Sequence, residues 1–85
     1  MQAVVLIDAA PGYEEAVEAS LRKVRGITRV ARFKDRNYDL AILVQGEDAA
    51  LVERVVNSEI RMITGISGVE RIPDPSKRLL DALSR

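Results

Sequence analysis

The chain has 85 residues and a mass of 9.4 kDa, and its thirteen basic and thirteen acidic side chains cancel to a net charge of zero. One domain of this size has a small core that association with another copy commonly supplements, and balanced charge argues against a general binder of nucleic acid or membrane surfaces. With neither Cys nor His, disulfides, thiolate chemistry, imidazole bases and the usual zinc, haem and copper ligands are excluded, so no metal, cofactor or enzymatic activity is expected.

Met1-Gln2 leads at once into the apolar run Ala3 to Ile7, closed by Asp8, with no basic n-region or cleavage site. It reads as a strand buried on both faces and not as a signal peptide. No apolar run approaches the ~20 residues of a membrane span, and a cytoplasmic protein is expected. Few Asn, Gln and Met and 31% charged residues of both signs fit a heat-tolerant (thermophile) source.

Pro11-Gly12 punctuates a turn, and Glu14 and Glu15 follow where a helix N-terminus favours negative charge. Tyr13, Ala16, Val17, Leu21 and Val24 recur at helical spacing, so an amphipathic helix is expected there with Gly26 as its stop. Ile27 to Lys34 reads as a strand with Ala31 and Phe33 on one face and Val30, Arg32 and Lys34 on the other. Asp35-Arg36-Asn37 suits a hairpin turn into the strand Tyr38 to Val44. Asp48 is placed to cap a second helix striped by Leu51, Val52, Val55, Val56, Ile60 and Ile63, which Gly65 stops. Val69 to Ile72 is a last short strand before Pro73. In the tail, Asp74-Pro75-Ser76 supplies a capping residue and a first-turn proline for a helix over Lys77 to Arg85, with Leu79, Leu80 and Leu83 on one side. So short a helix is unstable alone and must dock on its own domain or on a neighbour.

The order is strand, helix, strand, strand, helix, strand, which predicts an α+β, ferredoxin-like βαββαβ sandwich over residues 1–73: a four-stranded antiparallel sheet with two helices on one face. Residues 74–85 form the separate helical tail. Alternation places Tyr38, Leu40, Ile42 and Val44 on one face of the third strand and Asp39, Ala41 and Leu43 on the other. Both faces are largely apolar, and helices cover only one. The second predicts a partner, expected to be another copy of this chain.

Several short motifs carry a resemblance. Ala-Pro-Gly-Tyr-Glu-Glu at 10–15, Val-Arg-Gly-Ile at 24–27, Tyr38-Asp39-Leu40, and Ile60-Arg61-Met62-Ile63-Thr64-Gly65-Ile66 followed by Gly68-Val69 stand in order across residues 3–72. In this the chain resembles the effector-binding, or RAM, domain of the Lrp/AsnC transcription regulators. Before the first strand there is no room for a helix-turn-helix, so the resemblance is to the stand-alone RAM proteins. It implies dimers formed sheet to sheet, in the manner of a dimeric α/β barrel, which assemble into higher homo-oligomers. It implies further amino-acid binding between dimers, action in transcription regulation or amino-acid metabolism without direct DNA binding, and possible co-assembly with full-length regulators.

The resemblance places a ligand-binding Gly-x-Tyr-Asp motif on Arg36, Asn37, Tyr38 and Asp39, with Arg36 where Gly is usual. Gly lets backbone approach a ligand closely, so Arg36 either narrows the pocket or supplies a cation to a ligand carboxylate. Asp39 either pairs with an α-amino group or caps the turn. A hydroxyl that the family tends to place after the last Gly-Val is replaced here by Ile72 and Pro73.

Seven basic residues between Arg22 and Arg36 face a single acid, Asp35. Clustered guanidinium groups suit phosphate, but at zero net charge a solvated face paired with Glu14, Glu15 and Glu18 is favoured. An RNA-recognition domain, which shares the βαββαβ order, would need paired aromatics on its central strands, and Phe33 and Tyr38 are the only candidates. Tyr13 is expected to staple its helix. A proton-moving Tyr38/Asp39 pair is disfavoured because neighbours on a strand face opposite ways.

Overall fold

The computed structural model describes residues 1–84, so Arg85, the last residue of the expected tail helix, lies outside the described residues. Four strands, β1 (Gln2–Ala9), β2 (Ile27–Asp35), β3 (Tyr38–Gln45) and β4 (Ile66–Ile72), form one antiparallel sheet in the order β2-β3-β1-β4. The apolar β1 and β3 lie at its centre and the more charged β2 and β4 at its edges, where charged side chains deter pairing with other chains. This is the ferredoxin-like sandwich expected from the pattern.

Helix α1 (Glu14–Arg22) buries Val17 and Leu21, whereas Ala16 and Tyr13 of the expected stripe are exposed. Tyr13 instead sits before the first turn, packed over Gly65. That glycine has φ +98°, and a Cβ there would stand 2.7 Å from the Tyr13 ring; the helix itself stops at Ile60 with Arg61 as its cap, so Gly65, expected as its stop, instead makes the turn into β4. Asp48 caps α2 (Ala49–Arg54) by accepting from the Leu51 amide at 3.0 Å.

From Val55 to Ile60 the helix continues with the looser π winding, a departure from the regular helix expected. Its inward residues Val52, Val56 and Ile60 are spaced by four. In an α-helix each such step rotates the side chain by roughly 40° past a full turn. The i→i+5 winding cancels most of that drift and keeps all three on the core. Leu51, by contrast, is turned outward.

Val5, Ile7, Leu40, Ile42 and Val44 of the central strands meet Val17, Leu21, Val52, Val56 and Ile60 of the helices in the main core. Val4, Leu6 and Ala41 point to the other face, where they pack with Leu79 and Leu83 of a third helix, α3 (Lys77–Leu83). Ser76 caps α3 by accepting from the Leu79 amide at 3.2 Å, which leaves Pro75 outside the helix and not in its first turn. The second face, expected to be bare, is therefore partly covered by the chain's own tail. Among the described residues no helix is long and apolar enough to cross a membrane.

Candidate functional site

β2 and β3 join through a two-residue loop, Arg36-Asn37, closed by the Asp35/Tyr38 pair. Arg36 has φ +54°. A hairpin with positive φ at its first loop residue ordinarily places glycine there, so the missing motif glycine is a backbone requirement that this arginine meets under strain. Its guanidinium lies 2.8 Å from Glu70 and 3.7 Å from Asp35, and 5.6 Å from the centre of the Tyr38 ring. These partners hold it across the end of the sheet. They also hold its pKa above the usual arginine value, chiefly through the Glu70 hydrogen bond.

Asn37 donates its side-chain amide to Asp8 at 3.4 Å. Tyr38 packs with the second-face cluster, not with Leu40, Ile42 and Val44 as alternation implied. The β2–β3 register shifts between Arg32 and Asp35, beside the turn, and regular alternation resumes only beyond it. Gly68 lies inside β4, opposite Asp8, and a Cβ there would stand 3.3 Å from the Asp8 Cβ and 3.8 Å from the Tyr38 ring. Its bare backbone is what lets these side chains close over the strand.

Asp39 stands between the Asp8 side chain and a second set of partners. One of its carboxylate oxygens accepts the Ala9 amide at 3.2 Å and the other accepts from the Lys34 ammonium at 3.0 Å. Lys34 foremost, with the Ala9 amide, holds the Asp39 pKa below the ordinary carboxylate value despite partial burial. The carboxylate faces a cleft of about 830 Å³ between β2 and the start of α1, lined by Gly12, Glu14, Glu15, Arg32 and Lys34 among others.

Arg36, Asn37 and Tyr38 thus gather with Asp8 and Glu70 at one end of the second face, while Asp39 joins Lys34 at the α1 cleft and adjoins the first group through the Asp8 side chain beside it. Asp8, Glu70, Glu14 and Glu15 were not singled out for either site. Asp8 and Glu70 reach theirs only through sheet pairing, 62 residues apart in the chain, and no local spacing announces it. Much of the basic run is neutralised within the chain. Glu18 accepts from Arg22 at 2.9 Å and from Arg32 at 2.6 Å, and these bonds, Arg22's first, lower its pKa. Arg71 pairs with Glu53. Among the described residues no cluster of three or more Asp or Glu side chains is arranged to hold a metal ion.

No protein-family model matches the sequence, and no curated protein sequence matches it either. Solved structures do. The protein TTHA0845 of Thermus thermophilus superposes with a TM-score of 0.77 at 24% identity, over 84% of this chain and 88% of that one. E. coli AsnC gives 0.76 at 17% identity, over 84% of this chain and 48% of AsnC. The transcriptional regulatory protein PF0864 of Pyrococcus furiosus, a member of the AsnC family, gives 0.66 at 15% identity, over 89% and 53%. At such identities the likeness is one of fold. The chain has the ferredoxin-like fold shared by AsnC, PF0864 and the Thermus protein, as its resemblance to the RAM domain implied.

Proposed function

We propose that the chain is an oligomerising, small-molecule-sensing module of the stand-alone Lrp/AsnC RAM type, acting in transcription regulation or amino-acid metabolism without itself reading DNA. An amino acid is the effector; of the expected ligand-binding residues Arg36, Asn37, Tyr38 and Asp39, it is Asp39 that faces the cleft and takes the ligand, while Arg36, Asn37 and Tyr38 shape the turn beside it. The observation that carries the reading is the Lys34–Asp39 pair at the mouth of the α1 cleft, on a fold shared with AsnC and PF0864. The Asp39 carboxylate is ionised and only 17% exposed, while its ammonium partner on Lys34 is 79% exposed. An incoming α-ammonium group takes the place of Lys34 at little cost. Lys34 and Arg32 then stand ready for the ligand's carboxylate.

A ligand bound only by the folded state stabilises it by RT ln(1 + [L]/Kd), which at ten times Kd raises Tm by about 8 °C for a chain this size. Thermal-shift measurements with each of the twenty amino acids at millimolar concentration are expected to find at least one such shift, abolished in Asp39→Ala. If none appears, effector binding is wrong.

A second reading has an observation of its own. Arg32 is already paired with Glu18, Lys34 with Asp39 and Arg36 with Glu70, which suits a structural adaptor that co-assembles with full-length regulators and binds no effector. It predicts a larger particle on mixing with a purified AsnC-type regulator, in the absence of any amino acid.

A further inference from the structure

The cleft that holds Asp39 has walls of unlike charge. On its strand side stand Arg32 and Lys34 of β2 and Asp39 of β3; on its helix side stand Gly12 of the β1–α1 loop and Glu14 and Glu15 in the first turn of α1. A Cβ at Gly12 would meet nothing within 4 Å, so the rim is open at that point.

The cations of the strand side are already engaged. Arg32 donates to Glu18 at 2.6 Å, and Lys34 donates to Asp39 at 3.0 Å. The acids of the helix side are not. One Glu14 oxygen accepts the Gly12 amide at 3.0 Å, and among the described residues neither Glu14 nor Glu15 enters an ion pair. Glu18 lies one helical turn further on, so all three acids share the side of α1 that faces β2. Their field reaches Arg32, whose pKa is held above the usual arginine value first by the Glu18 hydrogen bond and further by Glu15 and Glu14. A helix N-terminus favours an acidic side chain, which accounts for Glu14 closing the loop onto Gly12. It does not call for a second, and Glu15 adds negative charge to a cleft with no unengaged cation to meet it.

Charge balance then selects among amino acids. The ligand's α-ammonium takes Asp39, and its carboxylate takes the Lys34 ammonium released by that exchange, so the two ends of the zwitterion are both met. Glu14 and Glu15 are left over, and the Asp8 side chain beside Asp39 adds to the excess of acid. Those two glutamates repel an acidic side chain, give nothing to an apolar one and pair with a cationic one.

We propose that the effector is an α-amino acid with a cationic side chain, of the lysine and arginine class, whose side-chain cation lies against Glu14 and Glu15. The proposal rests on the amino-acid reading above and adds the class of ligand and the two residues that select it. Ion pairs at exposed sites contribute at most about a fivefold gain in affinity each, so two of them select by roughly five- to twenty-five-fold, and salt weakens the selection.

Isothermal titration calorimetry on the full chain, at low ionic strength and neutral pH, tests this. It compares lysine and arginine with norleucine, which has lysine's carbon chain without the terminal ammonium, with glutamate, and with cadaverine, which has both ammonium groups of lysine and no carboxylate. Lysine or arginine binds at least about fivefold more tightly than norleucine, glutamate binds most weakly of the amino acids, and cadaverine binds more weakly than lysine because Lys34 is left without a partner. Glu14→Gln with Glu15→Gln, which keeps an oxygen for the Gly12 amide and whose folding circular dichroism checks, erases the advantage of lysine while leaving norleucine within about twofold of its parent affinity.

Norleucine or another neutral amino acid binding as tightly as lysine and arginine overturns the charge selection and leaves the amino-acid reading standing. A preference that survives in the double variant overturns Glu14 and Glu15 as its source. Cadaverine binding as tightly as lysine overturns the α-amino-acid class in favour of a diamine. No binding by any of the twenty amino acids removes the amino-acid reading and this proposal with it.

Discussion

Arg36 occupies a backbone position that glycine fills without strain, and the two effects of changing it can be separated. Arg36→Gly relieves the positive φ, but it loosens the unfolded chain and loses the exposed Glu70 pair, so its Tm is expected within about 2 °C of the parent's. Arg36→Val keeps the strain, adds β-branching and loses the same pair, and is expected to lower Tm by about 5–10 °C. Thermal unfolding of the two variants decides the matter. A large loss in Arg36→Gly would mean that the ion pair and not the backbone governs this turn.

Asp39 and Glu18 both have folded-state pKa values below their ordinary ones, through Lys34 for the former and Arg22 and Arg32 for the latter. The sign follows from linkage: their contribution is fully present above the unfolded carboxylate pKa, about 4, and disappears as pH falls through the lower folded values. Urea midpoints are expected to hold steady from neutral pH to about pH 5 and to fall below pH 4. Asp39→Asn with Glu18→Gln flattens that acid limb.

At the scale of elements, sequence patterning located every strand and helix, because burial on a sheet or a helix face imprints its period on the residues. It did not find the π winding, since a stripe spaced by four reads as α-helical until the core requires those residues in line. It also began β4 at Val69 and not Ile66, because Ser67 and Gly68 break the apolar run that pairing with β1 extends. Ile60→Ala, at the end of that wound stripe, is expected to cost about 2–4 kcal/mol in urea unfolding. Gly65→Ala is expected to cost about 2–3 kcal/mol by forcing a Cβ against Tyr13 at a positive φ. An effect below 0.5 kcal/mol, roughly the scatter of surface substitutions, would mean that the turn before β4 adjusts freely.

The whole molecule is one sheet between two unequal layers: two helices joined to the main core, and a seven-residue helix on the far side. Hydrogen exchange is expected to follow that inequality, with α3 amides exchanging first and those of central β1 and β3 last. Amides of α3 as slow as those of β3 would show that the tail opens only with global unfolding. The zero net charge and the ion pairs within the basic run also predict no salt-dependent binding to duplex DNA, checked by fluorescence anisotropy at low ionic strength.

By itself the sequence determined the order of elements, the sandwich they form and the two-sided greasiness of the central strands, because each is a local period or a turn residue read directly from neighbours in the chain. It also pointed to the hairpin at Arg36 and Asn37. Only the tertiary structure decided that Tyr38 joins the second-face cluster and not Leu40, Ile42 and Val44, that Asp8 and Glu70 join the turn, and that α3 lies across the second face. Those outcomes depend on strand register and on residues tens of positions apart coming within a few ångströms, and such contacts leave no periodic trace in a single chain.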